Sequence, residues 1–77
     1  MPRVIVYSTT SCPFCDMARQ FLDSKGVKYE HFDVGEDMEK AREMVAKSGQ
    51  NGVPVLDIDG KIIIGFNKPA IEEALGL

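Results

Sequence analysis

The amino-acid sequence predicts an α/β fold in which three helices flank a four-stranded mixed sheet, in the order βαβαββα. Short runs of β-branched and aromatic residues alternate with segments whose apolar residues recur at i, i+3, i+4 and i+7, which is typical of strands and amphipathic helices. In addition, Asp59-Gly60 separates two hydrophobic runs, and this dipeptide favours a tight hairpin turn. We expect the chain of 77 residues to form a single domain, residues 1–77.

The first half of the chain predicts a strand, a helix and a parallel strand. Arg3 to Tyr7 is continuously hydrophobic after its first residue, as expected of a central strand covered on both faces. Pro13 suits the first position of a helix that ends near Lys25-Gly26. Lys28 to Val34 is less hydrophobic and is predicted to be an edge strand, paired with the first through a right-handed crossover. The predicted inward-facing positions of the helix are Phe14, Met17, Ala18, Phe21 and Leu22.

The second half predicts a helix, a β-hairpin and a last helix. Gly35 to Ser48 is acidic at its start and carries Lys47 near its end, which complements the helix dipole. Val53 to Ile58 and Lys61 to Ile64 are the two strands of the hairpin. Asn67 is the predicted N-cap of the last helix. The predicted inward-facing positions are Met38, Ala41, Met44 and Val45 in the second helix, and Ala70, Ile71, Ala74 and Leu75 in the last.

Composition and charge exclude several classes of protein. The chain is 44% hydrophobic and 27% charged, as is ordinary for a globular domain, and its net charge of −3 without a basic cluster argues against nucleic acid as a partner. No apolar run approaches the roughly 18 residues of a membrane span. The start of the chain, Met1 to Val4, has no apolar signal-peptide segment. We therefore expect a cytoplasmic monomer that binds neither membranes nor nucleic acid.

The two cysteines, Cys12 and Cys15, lie three positions apart in the segment Ser11 to Cys15, at the predicted turn from strand to helix. A C-x-x-C motif at this place in a small α/β chain indicates a redox dithiol. A structural disulfide is disfavoured because it would close a very short loop. A structural zinc site is disfavoured because it would need further ligands, and His31, predicted to be a solvated strand residue, is the single additional soft donor.

The capping position predicts different roles for the two sulfurs. If Pro13 is the first helical residue, Cys12 is the N-cap, and its sulfur can accept a hydrogen bond from the backbone N–H of Cys15. A thiolate accepts better than a thiol, and the positive end of the helix also favours the anion. We expect Cys12 to be the exposed nucleophile and Cys15 to be the shielded thiol that resolves the mixed disulfide.

With these motifs the chain resembles the glutaredoxins and the closely related glutaredoxin-like redoxins of the thioredoxin fold. The resemblance implies a minimal thioredoxin fold and a thiol–disulfide oxidoreductase that reduces protein or mixed disulfides. It also implies that no cofactor is tightly bound and no metal is required, with glutathione as a co-substrate in many members. The matching segments, in order, are Val4 to Tyr7, Cys12-Pro13-Phe14-Cys15, Lys25-Gly26-Val27, Gly52-Val53-Pro54 and Ile64-Gly65-Phe66.

The resemblance also implies the substrate-binding residues. It implies a cis peptide bond before Pro54, beside the cysteines, with the backbone of Val53 pairing with an extended substrate. Phe14 and Phe66 would then be partly exposed and form a docking patch, although both also suit a core position. From the residues alone, Pro54 would simply begin a strand. The implied set is Pro13, Phe14, Val53, Pro54, Gly65, Phe66 and Asn67.

The electron donor is left open by two departures from the family pattern. Typical glutathione-using glutaredoxins carry a basic residue before the cysteines and acidic residues after the last strand. Here Ser8 to Ser11 is uncharged, and Gly65 to Pro69 contains the cation Lys68 and no carboxylate. The Gly-Phe-x-x-Pro pattern looks like the NrdH-type redoxins, which take electrons from thioredoxin reductase, whereas Cys-Pro-Phe-Cys is closer to the glutaredoxin motif Cys-Pro-Tyr-Cys.

A different class of function is a glutathione-assisted carrier of an iron–sulfur cluster, which some glutaredoxins are. Such carriers usually have a single active cysteine. Pro13 and Cys15 therefore both count against this alternative.

Overall fold

The computed structural model describes residues 3–76, which contain three helices and four strands in the predicted order βαβαββα. The elements are β1 (Val4–Ser8), α1 (Pro13–Ser24), β2 (Glu30–Asp33), α2 (Met38–Ser48), β3 (Val55–Ile58), β4 (Lys61–Ile64) and α3 (Lys68–Leu75). None of these helices is both long and apolar enough to cross a membrane. The predicted sheet and its flanking helices are thus confirmed.

Four elements begin later than predicted, and for β1 the difference is one residue, since it starts at Val4 instead of Arg3. Helix α2 starts at Met38 instead of Gly35 because the side chain of Asp37 caps it, accepting a hydrogen bond from the N–H of Lys40 at 3.1 Å. Strand β3 starts at Val55 because Pro54, which has no N–H to donate to a strand ladder, precedes it. Strand β2 is limited to the four residues that pair with β1.

The strand order in the sheet is β2-β1-β3-β4. Strand β1 pairs in parallel with β2 and antiparallel with β3, and β3 pairs antiparallel with β4. The prediction that β1 is central and β2 lies at an edge is therefore confirmed. Asp59 and Gly60, which join β3 to β4, have φ values of 53° and 93°, the positive pair that a type I′ turn requires.

Side chains of β1 alternate between two hydrophobic layers, so both faces of the sheet are covered. Val4 and Val6 pack with Ala18 and Leu22 of α1 and with Ile71 of α3. On the other face, Ile5 and Tyr7 pack with Met44 of α2 and with Val55. The predicted contribution of α3 to the core is confirmed, with its partly buried residues Ala70, Ala74 and Leu75 against the first layer.

The inward stripes predicted from apolar spacing are wrong at Met17 in α1 and at Met38 and Val45 in α2, whereas the exposure of Phe14 is the one that the family resemblance implied. In α1 the buried positions are Cys15, Ala18 and Leu22, while Phe14 is 61% and Met17 45% exposed. The helix is rotated from the predicted orientation because Cys15 behaves as a small apolar residue and faces the core. The apolar pattern instead predicts that Phe14 and Met17 face the core. In α2 Met44 is buried, whereas Met38 is 70% and Val45 42% exposed.

A polar network connects α2 to the sheet. The buried hydroxyl of Tyr7 donates to the carboxylate of Glu43, and Lys47 Nζ donates to the Tyr7 oxygen at 2.9 Å and to Asp57 Oδ2 at 2.7 Å. Burial raises the pKa of Tyr7, and the hydrogen bond from Tyr7 lowers the pKa of Glu43. Burial acts to lower the pKa of Lys47, but its bonds to Asp57 and Tyr7 outweigh burial and raise it.

The substitution Tyr7→Phe is expected to lower the free energy of unfolding by about 1 kcal/mol at neutral pH, the usual worth of one hydrogen bond. Because the folded pKa of Glu43 lies below its ordinary 4.5, its contribution is complete above pH 4.5 and is lost as the pH falls through the folded pKa. The difference between the two proteins should therefore shrink in acid. Urea unfolding at neutral pH and well below pH 4.5 measures both values. The control is Tyr7→Phe in a Glu43→Gln background, where the difference should not depend on pH. A difference that is also independent of pH in the parent would contradict the linkage between the Tyr7 hydrogen bond and the ionisation of Glu43.

Candidate active site

The two cysteines lie where the chain leaves the central strand and enters α1. The turn Thr9 to Ser11 follows β1, and Pro13 is the first residue of the helix. Cys12 is extended, with φ −123° and ψ 104°, and its Sγ accepts a hydrogen bond from the N–H of Cys15 at 3.2 Å. The prediction that Cys12 is the N-cap is confirmed.

The two sulfurs have different surroundings. Cys12 is partly exposed, while Cys15 is 0% exposed, and both are free thiols. Burial raises the pKa of Cys15 to about 12, helped by its side-chain hydrogen bond to Cys12. A backbone hydrogen bond from Thr9 and the charge of Arg19 act in the opposite direction. At neutral pH Cys15 therefore stays protonated and donates toward the sulfur of Cys12.

The segment before β3 faces the exposed sulfur. The peptide bond between Val53 and Pro54 is cis, as the resemblance implied. The carbonyl oxygen of Val53 lies 4.0 Å from Cys12 Sγ, and Pro54 is buried. The N–H of Gly65 donates to the carbonyl of Pro54 at 2.8 Å, so the end of β4 is tied to the same place. The structure thus brings Val53, Pro54 and Gly65 next to the cysteine motif.

The predicted aromatic residues differ in exposure. Pro13 is exposed and Phe14, between the two cysteines, is 61% exposed. Phe66 is partly buried and packs edge-on against Phe21, with 6.1 Å between ring centroids. The side-chain oxygen of Asn67 accepts from the N–H of Ala70 at 3.3 Å, so this oxygen caps α3.

Sequence reasoning missed a polar group formed by Ser8, His31 and Arg19, in which the charge of Arg19 also acts on Cys15. The hydroxyl of Ser8, which is fully buried at the end of β1, is hydrogen-bonded to Nε2 of His31 on β2. Burial of the ring and then the charge of Arg19 lower the pKa of His31, so the imidazole is neutral at pH 7. Arg19 lies one turn after Cys15 on α1 and is bound to Asp16. The i, i+4 spacing of Cys15 and Arg19 was the single sequence signal for this group.

Residues 3–76 bring together no group of three or more histidine, cysteine and acidic side chains that could hold a metal ion.

A central strand leading into a helix capped by the first cysteine, with a cis-proline opposite, defines a protein of the thioredoxin fold with a C-x-x-C motif. The glutaredoxin family profile matches residues 4–63, and the chain belongs to this family.

Relatives and solved structures agree with the family. An uncharacterized glutaredoxin-like 8.6 kDa protein in the rubredoxin operon of Clostridium pasteurianum is 43% identical over 91% of this chain and 93% of its own length. Glutaredoxin 3 of Escherichia coli is 35% identical over 84% of this chain and 78% of its own. A glutaredoxin from Archaeoglobus fulgidus superposes with a TM-score of 0.88 at 25% identity, over 97% of this chain and 87% of its own. Escherichia coli NrdH-redoxin, at 22% identity, shares the fold, with a TM-score of 0.84 over 92% of each chain.

Iodoacetamide at neutral pH is expected to modify the reduced protein once, at Cys12. Cys15 is buried, and with a pKa of about 12 only about one molecule in 10⁵ carries its thiolate at pH 7. Peptide mass spectrometry after short exposure locates the adduct, and a second adduct should require denaturant. In the matched Cys12→Ser variant burial remains, so the native protein should stay unmodified. Equal labelling of both cysteines would contradict the assigned environments.

Proposed function

We propose that the protein is a cytoplasmic, monomeric thiol–disulfide oxidoreductase that reduces protein disulfides and mixed disulfides by cycling Cys12 and Cys15 between dithiol and disulfide. The observation that carries this proposal is the difference between the two sulfurs. Cys12 Sγ is partly exposed and caps the helix, accepting a hydrogen bond from the N–H of Cys15 at 3.2 Å, while the thiol of Cys15 is buried one turn away. Such a pair can make and then break a bond to a partner without exposing the second thiol.

In the first step the thiolate of Cys12 attacks one sulfur of the substrate disulfide. A Cys12–substrate disulfide forms, and the other substrate sulfur leaves as a thiolate. The N–H of Cys15 and the helix N-terminus stabilise the attacking anion. Because Val53 and Pro54 lie beside Cys12, the Val53 backbone can hold the substrate in an extended conformation, with Pro13, Phe14, Gly65, Phe66 and Asn67 around it.

In the second step Cys15 loses its proton and attacks Cys12 Sγ. The second substrate sulfur leaves as a thiol, so the substrate has gained two electrons and the protein holds a Cys12–Cys15 disulfide. The hydrogen bond to Cys12 is the second cause of the raised pKa of Cys15. Once Cys12 is a neutral mixed disulfide it no longer stabilises the Cys15 proton, so the pKa of Cys15 falls at the step that needs its thiolate.

A two-electron donor must then reduce the protein disulfide, and the charges around the site favour thioredoxin reductase over glutathione. A charge-assisted hydrogen bond is worth about 1.5–3 kcal/mol. The uncharged turn Thr9 to Ser11 and the exposed cation Lys68 offer glutathione neither of the charged partners that typical glutaredoxins supply.

Replacing each cysteine by serine should have different consequences. Cys12→Ser should reduce disulfide reductase activity to the background level, because the attacking sulfur is gone. Cys15→Ser should retain the first step and accumulate a mixed disulfide at Cys12, visible as a mass increase that dithiothreitol removes. Full activity of Cys12→Ser would contradict the assigned roles.

A paired NADPH-consumption assay on one disulfide substrate tests the donor. One arm contains thioredoxin reductase, and the other contains glutathione and glutathione reductase. The expected result is faster consumption in the first arm, with the Cys12→Ser variant as the blank in both. Faster consumption in the glutathione arm would overturn the assignment of the donor while leaving the dithiol chemistry intact.

A further inference from the structure

The outer side of α1 carries an apolar stripe that begins at the cysteine motif. Phe14, Met17 and Phe21 are spaced i, i+3 and i+7, which places them within about 60° of one another around the helix. Phe14 is 61% and Met17 45% exposed, and Phe21 is partly buried. We call these three residues the α1 stripe. It extends about 10 Å along the helix, away from the exposed sulfur.

The far end of the α1 stripe is positively charged. The amino groups of Lys25 and Lys68 lie 5.7 and 5.6 Å from the ring centroid of Phe21, and Phe66 packs against the same ring. Both lysines are exposed, and neither takes part in a salt bridge among residues 3–76. The ring attracts an ammonium group weakly and does not neutralise it. An apolar surface thus leads from the reactive sulfur to two positive charges without carboxylate partners in the described part of the chain.

These features select the kind of partner. An exposed apolar surface that continues from a reactive group is typical of a binding site, and Met17 can adapt its shape to a neighbouring side chain. Two lysines on a chain of net charge −3 do not form the concentrated basic patch that nucleic acid requires. They do complement carboxylates at short range, within a Debye length of about 8 Å. The stripe therefore matches a protein segment with apolar side chains followed by acidic ones.

We propose that the α1 stripe, with Lys25 and Lys68, is a docking surface for the apolar, acidic segment that flanks the disulfide of a protein substrate. The inference rests on the proposed reductase function, since it gives that function a substrate class. Because the whole chain is negative, long-range attraction does not bring an acidic partner in. The two lysines instead set its register once the disulfide has reached Cys12.

Three synthetic peptides test this surface in single-turnover reactions of the pre-reduced protein, which need no electron donor. The core peptide is uncharged and contains one internal disulfide. The acidic peptide adds a leucine-containing tail of two helical turns that ends in two glutamates, and the basic peptide ends the same tail in two lysines. Chromatography of quenched samples yields a second-order rate constant for each peptide.

The expected ratio of acidic-peptide to basic-peptide rate constants is about 10 for the native protein, as two exposed ion pairs allow. In the double variant Lys25→Glu and Lys68→Glu the ratio should fall below one. The control, Lys40→Glu and Arg42→Glu, changes the net charge equally on α2, which packs on the opposite face of the sheet from α1, and should keep the ratio. High salt should bring the native ratio toward one.

The apolar part has its own comparison. Met17→Ser should slow both tailed peptides about threefold, the effect of losing a partly buried side chain contact, while Met38→Ser, exposed on α2, should not slow them. A native ratio of one, or equal loss in the two charge variants, would overturn the docking surface. If the core peptide is not reduced, the proposed function fails; if it is reduced while the tails make no difference, the docking surface alone fails.

Discussion

The hydrogen bond from the N–H of Cys15 to Cys12 Sγ, 3.2 Å long, is the interaction on which the site depends. It exists because Cys12 is still extended while Pro13 is already helical, so the sulfur occupies the place of an ordinary N-cap oxygen. Residues further along the helix maintain that geometry, because Ala18 and Leu22 are buried and pack α1 against β1. A shift of the helix along the sheet would move both the donor and the acceptor.

The same geometry makes two chemically equal side chains unequal. Cys12 is partly exposed and faces the backbone of Val53, whereas Cys15 is fully buried and the positive charge of Arg19 acts on it. Burial raises the pKa of Cys15 to about 12, so this thiol is protonated at neutral pH. In the proposed reaction, this difference in burial sets the order in which the two sulfurs react.

The rotation of α1 links the core to the surface. Turning Cys15 inward turns Phe14 and Met17 outward, so a helix that shields one sulfur also presents an apolar stripe beside the other. On the opposite face of the sheet, α2 is anchored by Met44 and by the network of Tyr7, Glu43, Lys47 and Asp57. The face covered by α1 thus positions the site, and the face covered by α2 stabilises the central strand β1 that leads to it.

The sequence by itself determined the element order, the hairpin turn at Asp59-Gly60 and the caps at Cys12 and Asn67, because each depends on local backbone chemistry within a few residues. Only the tertiary structure decided which side of α1 is buried, since apolar spacing leaves a helix free to rotate when a thiol competes for the core. It also decided the contacts of Ser8 with His31 and of Cys12 with Val53, which join residues 23 and 41 positions apart. The residues alone did not predict the cis bond before Pro54, because proline permits both isomers and the surrounding fold selects one. The family resemblance implied it.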